Sequence, residues 1–193
     1  MMFSGTFQAG NWPCRRETPR RHGLLLSLPY TIDVPANDGA FCMPYRFEMH
    51  DLGDGFFATD FSPIVWQNRP DRFSRLASRE GFRVDFRRLV RVCFDIFRQE
   101  ILAVVPTAIF VVCGSRTNGE ADSSGEGLPT RKYRLYRAVF ARLCAECECH
   151  LVDDASHSLF LVCPHARKEN YSDLLSAYWR RRTRIDSFLE GVP

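Results

Sequence analysis

From Tyr45 the side chains alternate, with Tyr45, Phe47 and Met49 apolar and Arg46, Glu48 and His50 polar. A period of two over six residues is the signature of a strand that buries one face and solvates the other. Gly53-Asp54-Gly55 then supplies a turn, 56–61 resumes as a second strand, and Ser62-Pro63 turns again into a third short strand, Ile64-Val65-Trp66. The segment is expected to be an antiparallel meander. A fourth extended piece fits 72–76, where Phe73 alternates with polar neighbours.

The period changes after Asp85. Phe86, Leu89, Val90, Cys93, Phe94 and Phe97 recur at spacings of three and four, which predicts a helix over 86–100 with Asp85 as its cap and its apolar face on the sheet. The β-branched and apolar run 107–113 reads as a central strand buried on both faces, with Pro106 at its start. Residues 114–130 are almost free of apolar side chains and read as a surface loop. A second helix is expected over 131–146, a hairpin from 149–153 and 159–163, and a last helix over 169–181. The order is β-β-β-α-β-α-β-β-α, an α+β fold in which a mixed, mostly antiparallel sheet carries its helices on one face.

Residues 1–42 show no sustained period. Pro13, Pro19, Pro29 and Pro35 interrupt them and Gly5, Gly10, Gly23 and Gly39 loosen them, so they are expected to form a flexible arm, even one outside the native domain. The single domain would then span 43–183, followed by a short tail, 184–193. Within the arm, Leu24-Leu25-Leu26-Ser27-Leu28 follows four arginines but is too short for a secretory signal and ends at Pro29. No apolar run is long enough to span a bilayer, so no membrane partner is expected. The eight cysteines are accordingly read as reduced thiols of a cytoplasmic protein.

Four of those cysteines form the most chemically loaded cluster, Cys144-x-x-Cys147-x-Cys149 with Cys163 beyond it. A hairpin would return Cys163 toward Cys149, and a structural zinc would suit four such ligands. Buried thiols packed as small hydrophobes explain the same residues, and no other cofactor is expected. Asp51, Asp54 and Asp60 put carboxylates near the first hairpin, where Asp51 and Asp54 are what a turn requires. There is no Gly-x-Ser-x-Gly elbow, His-Glu-x-x-His helix or phosphate-binding loop.

Charge offers a different class of site. The chain carries 26 basic residues and a formal net charge of only +3, but all except Lys132 and Lys168 are arginine. They gather on three expected helix faces: Arg87, Arg88 and Arg91; Arg131 and Arg134; and Arg180 and Arg182. Convergent, they would attract nucleic acid, DNA or RNA; apart, they are solvated faces. Arg116, Asn118 and Gly119 lie in an Arg-x-x-Gly-x-Ala stretch that resembles the pyrophosphate loop of the GNAT acetyltransferases, which would imply an acyl-CoA-dependent transferase. In that family the helix starts at the motif itself, whereas here polar sequence intervenes before Arg131.

From Tyr45 onward the chain resembles a family of small bacterial proteins of the Bacteroidetes type, known as a domain of unknown function. The matching features are Tyr45-x-Phe47, Phe56-Phe57-Ala58-Thr59-Asp60 leading into Ile64-Val65-Trp66, Ile109-Phe110-Val111-Val112-Cys113, and Arg131-x-x-Arg134-Leu135-Tyr136. The family's loop after the central strand is short with Asp-Gly-Arg character, while here Asn118-Gly119 and an insertion replace it. The resemblance implies the fold and the domain start near Met43, and it transfers no catalytic residue. The leading expectation is a non-enzymatic binding or regulatory module whose partner is another protein.

Overall fold

The computed structural model describes residues 5–35, 42–69, 84–114 and 129–190. Within them lie strands β1 (Thr6–Ala9), β2 (Trp12–Arg16), β3 (Arg20–His22), β4 (Leu25–Pro35), β5 (Cys42–Asp51), β6 (Phe56–Pro63), β7 (Ile109–Cys113), β8 (Cys149–Asp154) and β9 (Leu159–Pro164). Helices α1 (Phe86–Phe97), α2 (Arg131–Glu146) and α3 (Tyr171–Glu190) complete the α+β fold. All nine strands join one mixed sheet in the order β1-β2-β4-β5-β6-β7-β9-β8, with β3 also paired to β4. Only β6 and β7 run parallel, joined through α1 as a crossover connection requires.

The alternation that begins in β5 divides the core. Met43, Tyr45, Phe47 and Met49 face α1 and α2, together with Phe57, Phe110, Val112, Phe160 and Val162 from the strands beyond. The opposite parity of β6, β7 and β9, namely Phe56, Ala58, Ile109, Val111, Leu159, Leu161 and Cys163, packs under Leu174, Tyr178 and Ile185 of α3. The helices therefore cover both faces of the sheet, not one. A strand as apolar as β7 leaves no alternative, because each of its faces has to be removed from water.

Residues 6–35 are not an arm. They form β1 to β4, and Trp12, Cys14, Tyr30, Ile32 and Val34 sit in the α1–α2 core with 3% exposure or less. Their glycines and prolines stand where a sheet accepts them. Gly10 (φ +52) and Asn11 (φ +65) make the turn between β1 and β2. Pro29 accepts from the Glu17 N–H on the side of β4 where its partner changes from β3 to β2, so its missing donor breaks no ladder bond.

Three further expectations change. Ile64–Trp66 is a single 3-10 turn, which buries Trp66 and leaves Val65 64% exposed. Without a strand partner, three apolar residues hide one ring best by turning. The last helix continues through the expected tail to Glu190, since neither Gly nor Pro interrupts it before Gly191 and Ile185 lies on the Leu174–Tyr178 face. Helix α1 passes into a wide turn at Arg98–Leu102. The extended piece expected at 72–76 lies outside the described residues.

Beyond the reach of α3, the second face of β4 to β6 is polar. Arg46 pairs with Glu17 at 2.9 Å, and the Thr31 hydroxyl donates to the same carboxylate at 2.5 Å. Ser27, His50 and Asp60 lie on this face as well. No helix among the described residues is long and apolar enough to cross a membrane.

Candidate binding site

One of the three arginine faces, Arg87, Arg88 and Arg91, lines a groove against α2. Helix α1 starts where Asp85 Oδ1 accepts the Arg88 N–H at 3.1 Å, and it buries Leu89, Val90, Val92, Cys93, Phe94, Ile96 and Phe97. That burial leaves Arg87, Arg88 and Arg91 outward. Helix α2 starts at Thr130, whose Oγ1 accepts the Tyr133 N–H at 3.2 Å and donates to the Gly114 carbonyl at 2.7 Å. Its core face is Tyr133, Tyr136, Phe140, Leu143 and Cys144. The two helices enclose a groove of about 380 Å³.

Arg87, Arg88 and Arg91 form one wall of the groove; Leu135, Ala138, Val139 and Arg142 of α2 form its floor and other wall, ending at Leu143 and Glu146. Leu135 is 41% exposed, on a stripe with Ala138, Val139 and Arg142. The lining carries four arginines and one glutamate, so it holds as much net positive charge as the whole chain, +3. Averaged over the rest of the surface, the charge is near zero.

These cations are held differently. Arg91 reaches Glu146 at 2.7 Å, with both side chains about half exposed, so water screens the pair and it closes only one end. Arg88 lies over the Trp12 ring at 5.0 Å and donates to the Gly10 carbonyl at 3.3 Å, which ties the groove to the β1–β2 hairpin. Arg87 and Arg142 make no ion pair among the described residues and are the two whose charge is free for a ligand.

The remaining candidates are placed elsewhere. Arg131 and Arg134 are exposed on the first turn of α2, and Arg180 and Arg182 are exposed on α3, across the sheet from the groove. The three faces thus do not form one surface. Arg137 is committed to Asp153 through two hydrogen bonds of 2.9 and 2.8 Å. Arg116, Asn118 and Gly119 lie outside the described residues.

Cys144, Cys147 and Cys149 share the α1–α2 side of the sheet, but Cys163 does not join them. The β8–β9 register sets Cys163 opposite His150, not Cys149, and this one-residue difference turns Cys163 to the α3 side while Cys144 and Cys149 stay in the α1–α2 core. Burial, followed by the neighbouring thiols, raises Cys144 to about 12; burial raises Cys149 to about 11 and Cys163 to about 12. Each of the three is a neutral thiol in the metal-free chain. No group of three or more His, Cys, Asp or Glu among the described residues is arranged to hold a metal.

Leu135, Ala138 and Arg142 are groove residues that sequence reasoning passes over. Their signal is an apolar pair recurring at i, i+3 or i+4 on the face of α2 otherwise occupied by arginine. Comparison of the chain with protein-family models, with curated proteins and with solved structures finds no match.

Proposed function

We propose that the protein is a protein-binding module whose α1–α2 groove receives an acidic amphipathic helix of a partner. The observation that carries this reading is the joining of an exposed leucine floor to unpaired arginines on both walls. A helix laid into such a groove buries its apolar stripe on Leu135 and Val139 and turns carboxylates toward Arg87 and Arg142. From Leu135 to Glu146 the groove is about 17 Å long at 1.5 Å per residue, which matches a partner helix of roughly three turns.

Nucleic acid fits this groove less well. Base recognition without a duplex relies on aromatic platforms, and among the described residues no aromatic side chain lines the groove. Arg180 and Arg182 are on the far face and cannot extend it. The acyl-CoA reading rests on Arg116, Asn118 and Gly119, and no described contact favours it.

The test is a fluorescence-anisotropy titration with three probes: a three-turn helical peptide with apolar residues at i, i+4 and i+7 flanked by Glu, the same peptide flanked by Lys, and single-stranded RNA. The Glu peptide is expected to bind. Leu135→Asp, and separately Arg87→Glu combined with Arg142→Glu, should each weaken it at least about tenfold, the scale of one interface hot spot. Preferential RNA binding that ignores Leu135→Asp would replace this reading with the nucleic-acid one; no binding of the Glu peptide would end it.

A further inference from the structure

The polar face of the sheet contains a row of four side chains drawn from four adjacent strands. Arg20 of β3 is the register partner of Ser27 of β4, and Ser27 is the register partner of His50 of β5. Direct partners in antiparallel strands point to the same face with Cβ atoms about 5 Å apart. Asp60 of β6 is paired with Glu48 and so stands diagonally from His50. The face is the one opposite Leu26 and Leu28, away from the α1–α2 groove.

Ser27 Oγ is 2.8 Å from His50 Nδ1, and His50 Nε2 is 3.3 Å from Asp60 Oδ2. An ionised carboxylate only accepts, so the ring hydrogen belongs on Nε2. Nδ1 then carries the lone pair, and the Ser27 hydroxyl must be the donor to it. The chain of donors thus runs from hydroxyl to imidazole to carboxylate. The rest of the face is different: Glu17, Arg46 and Glu48 close their charges on one another.

We propose that Ser27 is a nucleophile, with His50 as its base, Asp60 as the positioning carboxylate and Arg20 as the cation facing the developing oxyanion, and that the row hydrolyses carboxylic esters through an acyl-serine. A nucleophile in contact with a base that a third group orients is the arrangement this chemistry needs, whichever ring nitrogen plays each part. Exposure falls along the row, from 43% for the Asp60 side chain and 18% for His50 to 5% for Ser27, so the hydroxyl is recessed. The Arg20 side chain is half exposed and its ion pair with Glu17 is long, 3.8 Å, so the guanidinium can exchange that weakly held carboxylate for an anion at Ser27. Leu25 and Leu52 flank the row, so an apolar acyl group is the part of the substrate they would accept.

The steps balance without a cofactor. Ser27 Oγ bonds to the ester carbonyl carbon as its proton passes to Nδ1, and the carbonyl oxygen becomes an anion beside Arg20. Collapse of that intermediate breaks the ester C–O bond, and the alcohol leaves with the Nδ1 proton. Water then attacks the acyl-serine and gives a proton to Nδ1, which returns it to Oγ as the acid departs.

The experiment treats the full chain with a fluorophosphonate and maps the adduct by peptide mass, alongside turnover of a p-nitrophenyl ester. One adduct on Ser27 is expected, absent in Ser27→Ala. His50→Gln should slow labelling by about 100-fold, the lower end of what a positioned base supplies. Asp60→Asn should lower kcat with little change in KM, and Asp60→Glu should recover part of it. No adduct on Ser27 in a chain that melts cooperatively would overturn the proposal, as would labelling at an unchanged rate in folded His50→Gln. The row lies on the opposite face of the sheet from the groove, so labelling of Ser27 and binding of the Glu peptide are read separately and either can fail alone.

Discussion

Asp154 shows how much one side chain can hold. Its carboxylate accepts from Ser156 Oγ at 2.7 Å, from His157 Nδ1 at 2.9 Å and from Trp179 Nε1 at 3.0 Å, joining the β8–β9 turn to α3. Burial alone would raise its pKa, but the donors outweigh burial and hold it below the ordinary carboxylate value. A depressed carboxylate stabilises the fold above its unfolded pKa and loses that contribution as pH falls through the folded one. Asp154→Asn should therefore cost about 1 kcal/mol at pH 7, the scale of a net hydrogen bond, because of its three donors only Trp179 is partly buried. Urea melts at descending pH should show the gap between variant and parent closing below about pH 4. Cys163 teaches the complementary lesson: one residue of register, invisible in the spacing of the cysteines, decides which face of the sheet it joins.

At the scale of elements, the junction of β7 and α2 is the tightest approach at any described glycine. Gly114 donates to the Ser158 carbonyl and accepts from Thr130, and a Cβ there would fall 2.4 Å from the Tyr133 nitrogen and 2.7 Å from its Cα. Backbone atoms at the start of a helix cannot yield as a side-chain tip can. Gly114→Ala should cost about 2–3 kcal/mol, the upper range for overpacking, read as a lower denaturant midpoint with an unchanged slope. Because α2 forms one wall of the groove, the same substitution should also weaken the Glu peptide. The helix limits themselves follow from local chemistry: Asp85 and Thr130 each cap a first turn, and the apolar spacing of 86–97 agrees with the face that α1 buries.

For the whole molecule, the N-terminal strands are structural. Trp12, Leu28, Tyr30, Ile32 and Val34 are all 6% exposed or less, and each fully buried large apolar side chain contributes roughly 1.5–3 kcal/mol. Five of them match the 5–15 kcal/mol net stability typical of a domain. Tyr30 also reaches Glu100, which pairs with Arg16 at the end of α1. A chain shortened to begin at Met43 should lose its cooperative thermal transition, seen by circular dichroism; a sharp melt in the shortened chain would show that β5 to β9 stand alone.

The sequence by itself determined the elements whose signal is local: the period-two strand at β5, the turn at Gly53–Gly55 where three successive residues have positive φ, both capped helices, the β8–β9 hairpin and the central place of β7. It also marked Arg87, Arg88 and Arg91. What it left open depends on neighbours that spacing does not encode. Residues 26–34 do carry a period of two, Leu26, Leu28, Tyr30, Ile32 and Val34 against Ser27, Pro29, Thr31 and Asp33, but the prolines and glycines around them mask it, and their place in the sheet came only with pairing to β5. Ser27, His50 and Asp60 are brought together only when β4, β5 and β6 pair in register. Which arginines share a surface was likewise decided by tertiary structure, because a strand apolar on both sides required α3 to cross to the face that α1 and α2 do not cover.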